Sequence, residues 1–282
     1  MSSRFKVAAV LAATLATLVT GLTAQAAAGP VKGTRIVILS DPPNTLGVKS
    51  MAFGSNDTTL AVGDGNGDTY LWDTANGTFV TFADPASMGV FSVAFGPGGM
   101  LATGDDNGRV YLWRTAPRRL VATLAGPARS GVSSMVFGPG GVLAVGAYDG
   151  STYLWDVASR KLIATLAGPE RTEASSVAFG PGGVLAVGDS DGRVYLWNIR
   201  TRKVTATPVD HATEGVASVA FGLDGVLAIG DANGNAYLWD RALRKVTADL
   251  FDPGLETEAF GPGGTVLATA DWSGFIYLWR IS

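Results

Sequence analysis

The sequence predicts an all-β fold, a six-bladed β-propeller of four-stranded antiparallel blades, on three observations. Tyr-Leu-Trp occurs six times, at 70–72, 111–113, 153–155, 195–197, 237–239 and 277–279, with successive tryptophans 41, 42, 42, 42 and 40 residues apart. That is the period of one four-stranded blade. Glycine punctuates every unit at fixed offsets, joined by proline in four of the six, and no long 3.6-residue periodicity occurs outside the first 26 residues.

Each unit contains the same four pieces. An inner strand reads Ser-Val-Ala-Phe (92–95, 176–179, 218–221) and ends at Gly-Pro-Gly-Gly or a variant, a tight reversal. The second strand reads Val-Leu-Ala-Val-Gly (142–146, 184–188). Next come Asn66-Gly67, Asn107-Gly108, Asp149-Gly150, Asp191-Gly192, Asn233-Gly234 and Ser273-Gly274. Asn-Gly and Asp-Gly are the preferred pair of a two-residue type I′ turn, because both residues then need positive φ. The third strand carries Tyr-Leu-Trp, with Tyr and Trp on one face and Leu on the other. A polar turn leads to an outer strand such as 161–166 or 203–207.

The blade number follows from counting. The chain ends three residues after Trp279, so the sixth blade has no outer strand of its own. Residues 35–40 read as an outer strand ahead of the first inner strand, 50–53. One missing strand and one spare strand match, so the N-terminal strand is expected to complete the last blade and close the ring, removing open edges.

Residues 1–26 read as a signal peptide. Arg4 and Lys6 precede an uncharged apolar run over 7–21, and Ala24-Gln25-Ala26 offers a small-x-small cleavage site. The run is shorter than the roughly 20 residues a spanning helix needs, so a secreted protein with no membrane insertion of the mature chain is expected. Residues 27–34 form a short linker and 35–282 the propeller. The mature chain would carry nineteen basic against twenty-four acidic residues, a net charge of −5. That balance lacks the basic patch of a nucleic-acid binder. Cysteine is absent, which excludes disulfides, thiolate metal sites and a cysteine nucleophile.

Phe-Gly-Pro-Gly-Gly on the inner strand and Tyr-Leu-Trp-Asp on the third closely resemble the WD-repeat family, in its regular bacterial form, over essentially all of 35–282. The resemblance implies a scaffold that presents a protein- or peptide-binding face and has no active site. Members more often have seven blades, the alternative to the six counted here. Two departures stand out. The family's Gly-His pair is missing, with only His211 in such a loop, and Trp-Asp survives at 72–73, 155–156 and 239–240 alone. The tryptophans Trp72, Trp113, Trp155, Trp197, Trp239 and Trp279 are the structural repeat positions.

Chemistry finds little support. His211 is the sole histidine, with no Gly-x-Ser-x-Gly elbow to accompany it, and no cofactor motif occurs. Eight residues before the tryptophan stand Asp64, Asp105, Asp189, Asp231 and Asp271, with Ala147 in blade three. These aspartates rim the face of the hairpin tips. Each either bonds the backbone of its own turn or belongs to a weak calcium pattern, Asp64-x-Asn66-x-Asp68. A carbohydrate-binding or carbohydrate-active propeller using this face is the alternative function. Glu258 occupies an inner-strand place held elsewhere by Val or Met, so it is either a buried carboxylate or shifted outward.

The tip position seven before the tryptophan reads Gly65, Asp106, Tyr148, Ser190, Ala232 and Trp272. Tyr148 and Trp272 break a small or polar pattern. They are either partner anchors or locally packed rings, and with the aspartates they mark the expected binding face. The opposite turns are basic (Arg118, Arg119, Arg160, Lys161, Arg202, Lys203, Arg244, Lys245) and read as a solvated rim. A monomer binding an unidentified protein or peptide is the resulting expectation.

Overall fold

The computed structural model describes residues 47–280 except 55–57, 84–88, 127–129, 169–170, 209–214, 223–224, 234, 252–254, 261–265 and 272–275. Within 248–278 the only side chain described is that of Leu267. The signal segment, the linker, the strand expected at 35–40, His211 and Trp272 all lie outside the described residues, and so does the Glu258 side chain.

Strands β1–β4 (Val48–Phe53, Thr59–Asp64, Asp68–Asp73, Thr78–Ala83) form the first antiparallel sheet, in sequential order. The second contains β5–β8 (Val90–Gly96, Met100–Asp105, Arg109–Arg114, Arg119–Ala125). The third contains β9–β12 (Val132–Phe137, Val142–Ala147, Ser151–Asp156, Lys161–Ala167). Strands β13–β16 (Ala174–Gly180, Val184–Asp189, Val194–Asn198, Lys203–Ala206) and β17–β20 (Val216–Phe221, Val226–Asp231, Asn235–Asp240, Lys245–Phe251) make the fourth and fifth. Strands β21–β23 (Leu255–Phe260, Val266–Asp271, Ile276–Arg280) form a three-stranded sixth sheet. The inner strands β1, β5, β9, β13, β17 and β21 neighbour one another in series.

The core lies between blades rather than within them. Ala94, Ala102, Leu112 and Leu124 of blade two meet Met135, Leu143, Val145, Tyr153 and Trp155 of blade three. The same small face against large face recurs between blades one and two, three and four, and four and five. Period-2 alternation produces it: along the third strand Leu faces one neighbour while Tyr and Trp face the other. Trp72, Trp113, Trp155, Trp197 and Trp239 are all buried, and Trp279 is half-buried.

Two further contacts link the blades. The hydroxyls of Ser50, Ser134 and Ser176 accept the N–H of Val93, Val177 and Val219 on the next inner strand, at 3.1, 3.3 and 3.1 Å. These buried amides have no ladder partner on that side, and an unpaired buried donor costs about 1–3 kcal/mol. The glycine after each inner-strand phenylalanine has its own task. A Cβ on Gly96 or Gly180 would stand 2.6 or 2.7 Å from the ring of Phe137 or Phe221 in the following blade. Gly138 stands in the same relation to Phe179. The glycine therefore seats a phenylalanine 41 residues away as well as opening a turn.

The tips differ from the expected two-residue turns. Gly63 pairs with Thr69, and the N–H of Gly67 donates to the Asp64 carbonyl at 3.4 Å. Gly108, Gly150 and Gly192 donate likewise to Asp105, Ala147 and Asp189. Only the glycine is left-handed, with φ between +75° and +96°, so each loop has three residues closed by glycine. At the other end of the blades Arg160, Arg202 and Arg244 take positive φ where blade one has Gly77, and the basic residues of these turns are exposed.

Candidate functional site

The hairpin tips and the segments entering the inner strands make one face, and its aspartates are not on the surface. Asp64, Asp105 and Asp231 are 0% exposed and Asp189 is 3% exposed. In each, Oδ1 accepts the N–H two residues on (2.9–3.0 Å) and four residues on (2.7–2.9 Å). The Oδ2 of Asp64, Asp105 and Asp231 accepts the hydroxyl of Tyr70, Tyr111 and Tyr237, at 3.2, 3.4 and 3.0 Å. Each carboxylate thus holds its three-residue loop together, and Asp64, Asp105 and Asp231 also tie theirs to the third-strand tyrosine, whereas the buried Asp189 Oδ2 accepts no hydrogen bond.

This corrects the expectation that Asp64, Asp105, Asp189 and Asp231 rim an open binding face. The side chain turns inward because the loop amides and the tyrosine hydroxyl are the donors within its reach. Lone pairs occupied by N–H and O–H donors at Asp64, Asp105 and Asp231 are not presented to calcium or to a sugar, and Asp189 is only 3% exposed. Among the described residues no group of three or more His, Asp or Glu side chains is placed to hold a metal ion. Asp271 ends β22, opposite Leu255 on the backbone ladder.

Blade three shows how the arrangement tolerates change. Ala147 replaces the aspartate, and Asp149, two residues on, takes over. Its Oδ1 accepts Ser151 N–H at 2.9 Å and its Oδ2 accepts the Tyr153 hydroxyl at 2.7 Å. In blades one, three, four and five the residue after the tryptophan also caps its turn. Asp73, Asp156 and Asp240 accept backbone N–H groups there, and Asn198 does the same with its amide oxygen. These bonds hold the Asp156 carboxyl below its usual range, the Ser159 backbone amide contributing most.

Tyr148 is on the surface at 38% exposure. Its backbone N–H donates to the Gly131 carbonyl at 3.1 Å, and its ring meets Phe91 of blade two edge to face, 6.5 Å between centroids. Gly131 makes room for it, since a Cβ there would lie 2.6 Å from the ring. One side of the Tyr148 ring therefore packs on Phe91, as the local-packing reading expects, and the other faces solvent.

The phenol is pushed up to about 12, by burial first and then by the negative charges of Glu173 and Asp106. We expect the ultraviolet difference titration of wild type against Tyr148→Phe to show one phenol ionising near pH 12. Because the folded value is raised, this group's contribution to stability is complete below about pH 10 and is lost as pH rises from 10 to 12. A phenol titrating at its ordinary value would show that neither burial nor the two carboxylates acts on Tyr148.

A sequence model of the WD domain, G-beta repeat family matches residues 34–73, 78–114, 118–156 and 160–198, more than half of the chain. The chain belongs to the WD40 family. Among solved structures, this WD40 chain is similar to one in the crystal structure of the mitotic checkpoint complex. The TM-score is 0.73 at 23% identity, over 83% of this chain and 76% of that one, a likeness of fold alone. No curated protein matches the sequence. WD40 propellers are typically non-catalytic scaffolds that bind proteins, and among the described residues no helix is long and apolar enough to cross a membrane.

Tyr148 was legible in the sequence as a break in the repeat. Phe91 and Glu173 were missed, although the signal was available. Phe91 stands where the other blades carry Lys49, Ser133, Ser175, Ala217 and Glu256, and Glu173 where they carry glycine.

Proposed function

We propose that this chain is a non-catalytic extracellular scaffold, a monomeric six-bladed propeller that binds a protein or peptide partner through its hairpin-tip face. The observation that carries the reading is Tyr148, a half-exposed aromatic on a rigid three-residue tip backed by Phe91. Aromatics held rigid at a surface supply contact area at low entropic cost and recur as interface anchors. Trp272 holds the corresponding position in blade six and is assigned to the same face.

Secretion rests on residues 1–26, read as a cleaved signal peptide ahead of the linker 27–34. Six blades rest on the repeat count and on the unequal last sheet, with 35–40 supplying the fourth strand of blade six. The mildly acidic mature chain favours a protein partner over nucleic acid.

The test is capture from the envelope and medium of the secreting cell, comparing wild type with Tyr148→Ala/Trp272→Ala. A partner retained by wild type and lost by the folded variant supports the reading. Equal capture by both removes the tip face from consideration.

A further inference from the structure

Near-identical blades give every position five internal references, and three departures, Phe91, Tyr148 and Glu173, converge on one patch with Asp106, the one charged tip residue of its column. The residue before the inner strand is Gly47, Gly89, Gly131, Gly215 and Gly254 in five blades and Glu173 in the fourth. The backbone fixes the equivalence: the carbonyls of Gly131, Glu173 and Gly215 accept the N–H of tip residues Tyr148, Ser190 and Ala232, at 3.1, 3.0 and 3.0 Å. Phe91 is the one aromatic at its inner-strand position, and Asp106 and Tyr148 stand where other tips have Gly65, Ser190 or Ala232. Phe91 and Asp106 come from blade two, Tyr148 from blade three and Glu173 from blade four.

Their placement suits one chemistry. The Phe91 and Tyr148 rings cross at 79°, Tyr148 and Asp106 are exposed, and Glu173 is half-buried. A Cβ on Gly131 would meet both the Tyr148 ring, at 2.6 Å, and the Asp106 carbonyl, at 2.8 Å, and the charges of Glu173 and Asp106 both act on the Tyr148 phenol. An aromatic surface between two carboxylates attracts a cation through the ring quadrupole and through charge together. A guanidinium is favoured over an ammonium there. It is planar, more weakly hydrated, stacks on rings, and carries five N–H donors in a fork that can serve two carboxylates.

We propose that this patch is an arginine subsite: the partner of the tip face presents an arginine that stacks on Tyr148 between Asp106 and Glu173. The inference rests on the face reading above and adds the chemistry of the occupant. Arg171, two residues before Glu173, is exposed.

The probe is a short glycine-serine peptide carrying one arginine, titrated into the full chain at about 0.15 M salt and followed by chemical shifts. Lysine and citrulline versions serve as comparisons. The arginine peptide is expected to bind several-fold tighter than the lysine peptide, and the citrulline peptide, which lacks the charge, to show no saturable shift. Glu173→Gly, which installs the residue of five other blades, and Tyr148→Ala are each expected to weaken binding about tenfold, the effect of roughly 1.4 kcal/mol. Equal binding of all three peptides, or unchanged binding to Glu173→Gly with its fold intact, overturns the subsite.

A photo-crosslinking residue at position 148 in the secreting cell separates the two levels. If the peptides fail and crosslinking traps a partner whose contact segment lacks arginine, the subsite is wrong and the face stands. If the peptides fail and nothing is trapped, both fall.

Discussion

Gly150→Ala is expected to destabilise the protein by about 3–5 kcal/mol, a large cost for one methyl group. Gly150 sits at φ +80°, where an L-residue pays about 1–2 kcal/mol. Its Cβ would also stand 2.5 Å from the Arg171 carbonyl carbon, 2.7 Å from the Thr172 oxygen and 2.8 Å from the Arg171 Cα. All three are main-chain atoms of the segment entering blade four, so no side chain can swing aside, and overpacking of this kind adds roughly 1–3 kcal/mol. The loop itself is pinned by the Asp149 bonds to Ser151 and Tyr153. Gly140→Ala is the control. That glycine has φ +70° with nothing within 4 Å of its Cβ, so only the backbone strain of about 1–2 kcal/mol is expected. Denaturant midpoints of the two variants measure the difference. Similar midpoints would show that the 171–173 segment yields freely. That outcome would also bear on the binding face, because the same segment ends in Glu173.

The strands were legible because a 42-residue period repeats every boundary signal. The second strand expected at 142–146 is Val142–Ala147, and the outer strand expected at 161–166 is Lys161–Ala167. The tip geometry was not legible. Asn-Gly reads equally well as a two-residue turn or as the close of a three-residue one, and only the pairing of Gly63 with Thr69 decides. Burial of the aspartates was hidden for a related reason. A tip position suggests exposure, but direction depends on which donors surround the carboxylate, and the tyrosine hydroxyl comes from the next strand. The serine bonds and the Phe-Gly seating were invisible for another reason, since their partners are 41 to 43 residues away and every blade carries the same letters. The candidate patch was half visible: Tyr148 breaks the pattern within one column, whereas Phe91 and Glu173 break it in columns that only the folded chain brings beside Tyr148.

The tip carboxylates make the second prediction with a large effect. Asp231 accepts the N–H groups of Asn233 and Asn235 at 2.9 Å each, the Asn235 side-chain amide at 3.0 Å and the Tyr237 hydroxyl at 3.0 Å. Replacing it by alanine leaves these donors facing a 0%-exposed site. Each bond to a charged acceptor contributes about 1.5–3 kcal/mol, and the bonds are not additive, so Asp231→Ala is expected to cost about 3–5 kcal/mol. Blade three supplies the rescue. It lives with Ala147 because Asp149 reaches both its loop amide and Tyr153, and Asn233 stands at the position of Asp149. Adding Asn233→Asp to Asp231→Ala rebuilds the blade-three arrangement in blade five and is expected to recover at least about half of the loss. Equilibrium denaturation of the single and double variants checks both steps. A loss that Asn233→Asp does not repair would mean that the blade-three tip owes its stability to something other than Asp149, the most direct candidate being the Tyr148 ring packed on Phe91. In that case Tyr148 would be holding the fold together as well as facing solvent, and Tyr148→Ala would lower stability together with any binding it abolishes.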